Sequence, residues 1–316
     1  MTRSTFPSQF QVYFHPEDWM GEVLNEQKER GIHPFFSWKS ISFSQEIKKP
    51  FWVVDHWVDA SLFRFESITE AARFLKSLPV KKWSPLAFDF HRRTQLLSEK
   101  INTPRLLTLS GPAFIPQDGI GSFFLLDENT LIYTLKLSAP VPGGLFRFQE
   151  EKSGPPSRAY LKLWEALSRF GELPKPGDLT LDLGSCPGGW TYVLSRLGAT
   201  VVSVDGANLD PAVLKMTGVH YLKKDAFKLK PEEVLQISGS NETPLGWFFS
   251  DMICDPDRVE SLLEPWLKLN PRPHFIITLK FKGKTDLKSC EKLARIPGAE
   301  IIHLSQNKHE LCFILH

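Results

Sequence analysis

The chain has 316 residues, of which 42% are hydrophobic and 23% charged, and its net charge at pH 7 is +2. These values are typical of a globular protein, and four cysteines without zinc-ligand spacing indicate neither a disulfide framework nor a metal site. No run approaches the ~18 apolar residues that a membrane span needs, so we expect a cytoplasmic protein that has no membrane contact and no evident obligate protein partner.

The first 140 residues predict an α+β accessory domain. Strands are predicted at 10–14, 35–43 and 51–54, helices at 18–30 and 68–78, and a hairpin at 122–137. Proline and glycine then interrupt every periodic pattern, at 140–144 and again at 154–156. We therefore expect a domain at 1–140 and a linker at 141–156.

The remainder, 157–316, alternates apolar strands with helices. Strands are predicted at 179–183, 200–204, 219–222, 247–249, 275–279, 300–304 and 311–315, and helices at 188–197, 255–269 and 284–295. Such alternation indicates an α/β domain with a mostly parallel sheet covered on both faces. The connection between the last two strands is too short for a parallel crossover, so we expect the last strand to be antiparallel. A seven-stranded sheet of this kind is the Rossmann-like fold of methyltransferases that use S-adenosylmethionine.

A glycine-rich loop follows the first of these strands. Its candidate cofactor-binding residues are Gly184, Ser185, Cys186, Pro187, Gly188, Gly189 and Trp190. Glycines at a strand-to-helix turn let the backbone approach a ligand, and the free N–H groups of the helix favour an anion. A dinucleotide fold would place glycine at the position of Cys186, so a ligand with a carboxylate and an adenosine fits better.

Two aspartates extend this candidate site along the sheet. Asp205 ends the second strand, 21 residues after Gly184, where a carboxylate can accept both ribose hydroxyls. Asp225 follows the third strand, where we expect it to meet the adenine amino group. The loop and the two aspartates together predict S-adenosylmethionine as the cofactor.

Four further polar residues are predicted to converge beside this cofactor. Asp251 and Lys280 end the fourth and fifth strands, and Glu310 begins the antiparallel last strand, so all three lie at the same sheet edge. Lys162 lies on the helix that precedes the cofactor loop. Asp251 also belongs to the predicted cofactor site, and it lacks the proline pair and aromatic residue of base-nitrogen methyltransferases.

These motifs resemble those of a known family. The segment Ser-Arg-Ala-Tyr-Leu-Lys-Leu from 157, the loop Asp-Leu-Gly-Ser-Cys-Pro-Gly-Gly-Trp from 182 and the strand-end residues are similar to FtsJ-type ribose 2′-O-methyltransferases. The similarity is greatest to the RlmM-type branch, which methylates a cytidine ribose of bacterial 23S ribosomal RNA. It implies that Lys162, Asp251, Lys280 and Glu310 are catalytic, and that residues 1–140 form a THUMP-like domain that binds RNA.

The chemistry of a ribose hydroxyl gives these four residues a purpose. The hydroxyl must lose its proton as it attacks, and we expect Lys280 to accept that proton as the general base. Burial and the nearby Lys162 would favour the neutral amine, while Asp251 and Glu310 hold and orient it. Lys282, Lys284 and Lys288 are candidates for contacts with RNA phosphates.

Three readings of function remain open. The first is a methyltransferase acting on ribosomal RNA of the 23S type. The second is a non-catalytic RNA-binding or assembly factor that keeps the fold, and the third is an S-adenosylmethionine-dependent O-methyltransferase with another substrate. Cysteine chemistry is not expected, because neither Cys186 nor Cys254 has the sequence setting of a cytosine methyltransferase nucleophile.

Overall fold

The structure is a computed structural model that describes residues 6–46, 48–105, 108–116, 118–237 and 243–316. The described residues form two units, and each unit is built around its own seven-stranded sheet. The described residues of 1–108 and 115–147 form the first unit, and those of 109–114 and 148–316 form the second.

The first unit is an α+β structure. Its strands are β1 (Phe10–Phe14), β2 (Phe36–Trp38), β3 (Ile41–Ser44), β4 (Asp55–Arg64), β5 (Lys82–Pro85), β6 (Ile120–Asp127) and β7 (Thr130–Thr134). Its helices are α1 (Met20–Arg30), α2 (Ile68–Ser77) and α3 (His91–Ser98), with 3-10 helices at Glu17–Trp19 and Pro142–Gly144. The sheet order is β2-β3-β1-β4-β7-β6-β5, and only the β5–β6 pair is parallel.

Two predictions for this unit are wrong. The single strand expected at 35–43 is two strands, β2 and β3, separated by a turn in which Lys39 has a φ of 52°. The apolar segment 51–54 is a loop, because the N–H groups of Phe51 and Trp52 donate to the buried carboxylate of Glu26 instead of to a neighbouring strand. The strand begins only at Asp55.

The second unit has the predicted Rossmann-like fold. Its strands are β8 (Leu179–Leu183), β9 (Thr200–Asp205), β10 (Val219–Lys223), β11 (Leu245–Ser250), β12 (His274–Lys280), β13 (Ala299–Ile302) and β14 (Glu310–Leu315). Its helices are α4 (Tyr160–Phe170), α5 (Gly189–Arg196), α6 (Pro211–Leu214), α7 (Pro231–Ile237), α8 (Pro256–Leu267) and α9 (Leu287–Ala294), with a 3-10 helix at Ala226–Lys228.

The strand order in this sheet, β10-β9-β8-β11-β12-β14-β13, determines where the site forms. Strands β8 to β12 run parallel to one another, and β14 is antiparallel to both β12 and β13, which confirms the prediction. Every residue of β8 and of β14 is buried, as expected for central strands covered on both faces. The carboxyl ends of β8, β9, β11 and β12 and the start of β14 therefore share one edge.

The boundary between the units falls at residue 147, inside the segment predicted as a linker. Residues 142–144 belong to the first unit, where the N–H of Gly143 donates to the buried carboxylate of Asp55 over 2.8 Å. Phe148 belongs to the second unit and forms a parallel bridge with Leu109. The segment 141–156 is thus divided between the two units.

Candidate active site

The cofactor loop turns sharply after β8 because a glycine occupies its first position. Gly184 has a φ of +73°, and a Cβ there would lie 2.6 Å from Cγ and 2.8 Å from Cα of Met252. Only glycine allows both this backbone conformation and this close approach to the segment that follows β11. The loop is thereby packed directly against the residue after Asp251.

Two further glycines open the helix α5. A Cβ at Gly188, whose φ is +119°, would lie 2.9 Å from Val213, and one at Gly189 would lie 2.6 Å from Oγ of Ser157. The Cys186–Pro187 peptide bond of this loop is cis. The glycines therefore bring the helix N-terminus close to both neighbouring segments.

A cavity of about 560 Å³ lies at the shared edge of the sheet. Five of the predicted cofactor residues line it: Gly184, Cys186, Asp205, Asp225 and Asp251. Apolar walls come from Phe227, Met252 and Ile253, and Lys280 lies at the same cavity. An elongated ligand with a polar sugar and a flat apolar base matches this lining.

The two strand-end aspartates are already hydrogen-bonded to the backbone. Asp205 accepts from the N–H of Cys186 at 3.0 Å and of Ala207 at 2.8 Å, and Asp225 accepts from the N–H of Phe227 at 3.0 Å. A carboxylate has about four acceptor positions, so both retain capacity for a ligand hydroxyl or amino group. Their backbone bonds fix the carboxylates at the cavity wall.

A smaller cavity of about 170 Å³ shares residues with the larger one. Its lining includes Gly184, Ser185, Cys186, Pro187, Gly189, Trp190 and Asp251 from the predicted site. Asp182, Ser185 and Ser157 line it as well, and no hydrogen-bond partner is found among the described residues for Oδ1 of Asp182 or for Oγ of either serine. Buried polar atoms normally have partners, so this group fits the charged tail of an amino-acid-bearing cofactor.

One predicted cofactor residue lines neither cavity, and Trp190, which lines the smaller one, is mostly buried. Gly188 lines neither and packs against Val213. Trp190 is 3% exposed, and its indole N–H donates to the carbonyl of Ala159 over 3.0 Å. The described contacts of Trp190 thus tie the start of α5 to the segment that leads into α4.

The four predicted catalytic residues form one connected cluster. Nζ of Lys162 lies 2.8 Å from Oδ1 and 3.1 Å from Oδ2 of Asp251, and 3.1 Å from Oε1 of Glu310. Nζ of Lys280 lies 3.1 Å from Oδ1 of Asp251 and donates to the Asp251 carbonyl over 2.6 Å. Asp251 therefore bridges the two lysines, and Lys162 bridges the two carboxylates.

The two lysines of this cluster differ in their surroundings. Burial lowers the pKa of Lys162, but the carboxylates of Asp251 and Glu310 outweigh burial and raise it above its usual value. The Lys162 side chain is 11% exposed, whereas that of Lys280 is 22% exposed and lines the larger cavity. Lys162 is consequently a fixed ammonium, and Lys280 is the lysine that a ligand can reach.

The environment of the cysteines agrees with a packing role. Burial, and next the nearby carboxylate of Asp205, raises the pKa of Cys186, whose thiol donates to the carbonyl of Asn208 over 3.2 Å. Burial likewise raises the pKa of Cys254. Both shifts disfavour the thiolate that nucleophilic attack requires.

Asp182 and Phe227 line the cavities but were missed by the sequence reasoning. Asp182 is fully buried beside the smaller cavity, and burial raises its pKa to about 7, partly offset by the hydrogen bond from Thr191. Phe227 forms a cavity wall, and the guanidinium of Arg258 lies 3.8 Å from the centre of its ring. Phe227 lies two residues after Asp225, which follows the third strand, and this position was the sequence signal that could have predicted an apolar wall of the cavity.

Comparison with known proteins now identifies the domain that carries this geometry. Residues 155–279 match the family model of FtsJ-like methyltransferases. The second unit contains an FtsJ-like methyltransferase domain. The match confirms the resemblance drawn from the sequence and supports S-adenosylmethionine as the cofactor of the FtsJ-like domain.

Two sequence relatives of this chain carry the same name. The proteins called ribosomal RNA large subunit methyltransferase M of Halorhodospira halophila and of Methylococcus capsulatus are 32% and 38% identical over 175 and 150 residues. These matches cover 54% and 46% of this chain, and 48% and 40% of the relatives. The chain thus spans less than half the length of these curated relatives.

Solved structures show a more distant likeness. A putative ribosomal RNA methyltransferase of Plasmodium falciparum has 16% identity and a TM-score of 0.37, with 50% of this chain and 96% of that chain covered. Aeropyrum pernix fibrillarin, solved with bound S-adenosyl-L-methionine, has 16% identity and a TM-score of 0.36, with 66% and 86% covered. Among the described residues, no helix is long and apolar enough to cross a membrane.

Proposed function

We propose that this protein transfers a methyl group from S-adenosylmethionine to a ribose 2′-hydroxyl of RNA, and that its substrate is large-subunit ribosomal RNA. The observation that carries the proposal is the cluster of Lys162, Asp251, Lys280 and Glu310 beside the cavity at the sheet edge. With such a substrate the activity belongs in the cytoplasm. The names of the relatives support the ribosomal substrate.

The cavities supply the binding half of the proposal. Asp205 and Asp225 would hold the ribose and adenine of the cofactor, and the orphaned polar atoms of the smaller cavity would hold its amino-acid end. When bound, S-adenosylmethionine supplies an electrophilic methyl group. Placing the acceptor in line with that group supplies much of the acceleration expected of such an enzyme.

The cluster of two lysines and two carboxylates would carry out the proton transfer. Lys280, at the cavity wall, would take the proton of the 2′-hydroxyl, and such general-base assistance is typically worth about 10²–10⁴-fold. Asp251 holds Nζ of Lys280 through both its side chain and its carbonyl. Lys162 stays charged and keeps the carboxylates of Asp251 and Glu310 in place.

Contacts with RNA are proposed at the rim beyond β12. The side chain of Lys282 is 72% exposed and pairs with Asp255 over 3.4 Å, and Lys284 and Lys288 are exposed as well. Lysines that bind RNA phosphates release counterions from the RNA, and this release favours binding less as the salt concentration rises. The affinity for RNA should therefore fall as salt rises.

The proposal is tested by mapping 2′-O-methyl groups on ribosomal RNA from cells with the gene, without it, and with Lys280→Ala. We expect one methylation to disappear in the deletion strain and in the variant, while the purified variant still binds S-adenosylmethionine. An unchanged map in the deletion strain would reject the ribosomal substrate. Full methylation in the variant would reject Lys280 as the base.

A further inference from the structure

A buried carboxylate outside the proposed catalytic cluster lies one helical turn from Lys162. Glu165 is on α4, three residues after Lys162, and its side chain is 0% exposed. Residues three apart on a helix lie on the same face. Lys162 and Glu165 therefore lie on the same face of α4.

Glu165 is bound to the connection between β13 and β14. Its Oε1 accepts the N–H of Ser305 at 3.0 Å, and its Oε2 accepts the hydroxyl of Ser305 at 2.5 Å. The guanidinium of Arg169, one turn further along α4, lies 2.9 Å from Oε1. Arg169 thus neutralises the carboxylate, while the two bonds to Ser305 attach the connection to the helix.

The connection held in this way delivers Glu310 to its place. Within it, the N–H of Asn307 donates to the carbonyl of Leu304, and the side-chain amide of Asn307 donates over 3.2 Å to the carbonyl of Glu310. The N–H of Glu310 donates to the carbonyl of Lys308 over 2.9 Å. A turn with these internal bonds transmits the position of Ser305 to Glu310.

Two contacts join α4 to the β13–β14 connection and the start of β14. Glu310 touches Lys162 at 3.1 Å, and Ser305, five residues earlier, touches Glu165 on the same helix. A buried ion pair such as Glu165–Arg169 is by itself weak evidence for a stabilising role. The bonds to Ser305 have a different consequence, because they fix the distance between α4 and the start of β14.

We propose that Glu165 is a positioning residue, which clamps the β13–β14 connection to α4 through Ser305 and so holds Glu310 against Lys162. The inference rests on the proposed function, since it assigns a task to Glu310 within that site. It predicts that loosening the clamp slows methyl transfer without weakening cofactor binding.

The test removes one bond of the clamp at an exposed position. Ser305→Ala deletes the hydroxyl bond to Oε2 but keeps the N–H bond to Oε1, and Ser305→Thr restores a hydroxyl. The matched control is Ser289→Ala, since Ser289 donates its hydroxyl at 2.6 Å and its N–H at 3.1 Å to the carboxylate of Asp286. Each serine thus donates its hydroxyl and its N–H to one carboxylate, but only Ser305 does so beside the cluster.

The kcat of each variant is measured with ribosomal RNA that comes from the deletion strain and has been stripped of protein. The Kd of S-adenosylmethionine is measured by calorimetry, and the midpoint of thermal unfolding is measured as well. We expect Ser305→Ala to lower kcat by about tenfold, which is less than the ~10²-fold that an ångström-scale misplacement can cost. Its Kd should stay within about twofold of wild type, and Ser305→Thr should recover most of the rate. Ser289→Ala should lose a similar amount of thermal stability but keep its kcat.

An unchanged kcat in Ser305→Ala would overturn the inference, as would an equal loss of kcat in Ser289→Ala at equal thermal stability. Lys280→Ala separates the two levels of the argument. If Lys280→Ala is inactive and Ser305→Ala is not slowed, the inference fails and the proposed function stands. If Lys280→Ala keeps the wild-type rate, the proposed function fails, and the inference fails with it.

Discussion

Gly184→Ala should damage the active site more than it damages the fold. At a φ of +73° any other residue costs about 1–2 kcal/mol in backbone strain. The new Cβ would also lie 2.8 Å from Cα of Met252, whereas ordinary van der Waals contact begins at 3.4 Å. The Met252 backbone must therefore retreat by 3.4 − 2.8 = 0.6 Å. Asp251, the preceding residue and the bridge between the two lysines, must move with it.

The size of the catalytic effect follows from this displacement. An ångström-scale misplacement of reacting groups can cost ~10²-fold in rate, so we expect Gly184→Ala to lose about tenfold or more in kcat. Cofactor affinity should fall as well, because the same shift narrows the larger cavity that Gly184 and Met252 line.

Gly171→Ala is the matched control, because its φ is +83° and a Cβ there meets no atom within 4 Å. Denaturant unfolding, calorimetry with S-adenosylmethionine and a methyl-transfer assay are run on both variants. We expect the left-handed backbone to cost each variant about 1–2 kcal/mol of stability. Only Gly171→Ala should keep the wild-type kcat and the wild-type Kd for S-adenosylmethionine. Wild-type kcat and Kd in Gly184→Ala would refute the close packing of the loop against Met252.

Three further variants address separate features of the FtsJ-like domain. Because burial raises the pKa of Asp182 to about 7, the free energy of unfolding of wild type should fall by up to about 4 kcal/mol as the pH rises from 4 to 7. The same pH dependence in wild type and Asp182→Asn, measured by denaturant unfolding, would contradict this. Lys162→Met leaves two carboxylates without their shared cation and should cost about 10²-fold in kcat, whereas Lys268→Met, which breaks only the exposed pair with Glu264, should cost nothing. Arg258→Ala removes the guanidinium from Phe227 and should raise the Kd of S-adenosylmethionine by about three- to tenfold, with calorimetry as the check and an unchanged Kd as the refutation.

The sequence predicted the second unit well because its signals are local. Continuous apolar strands ending in polar residues define both the sheet and its functional edge, so Asp251, Lys280 and Glu310 could be placed together before any coordinates. Lys162 was placed with them from its helix before the cofactor loop, but its contacts with Asp251 and Glu310 could not be read from that helix.

What the sequence could not predict depends on long-range contacts. Glu165 resembles any helical glutamate, yet it binds Ser305, 140 residues away. Phe51 and Trp52 look like a strand, and only the buried Glu26 explains why they form a loop. Trp190 was predicted as part of the cofactor loop, but its sequence position does not show that its indole N–H donates to the carbonyl of Ala159.

The most direct test of the central claim is a methyl-transfer reaction with purified protein. Wild-type protein is incubated with S-adenosylmethionine that carries a labelled methyl group and with protein-free ribosomal RNA from the deletion strain. The RNA is digested to nucleosides, and the labelled product is identified by mass spectrometry. The account predicts a 2′-O-methylnucleoside from wild type and none from Lys280→Ala, which should still bind the cofactor. A label on a base, or an unchanged yield from Lys280→Ala, would contradict it.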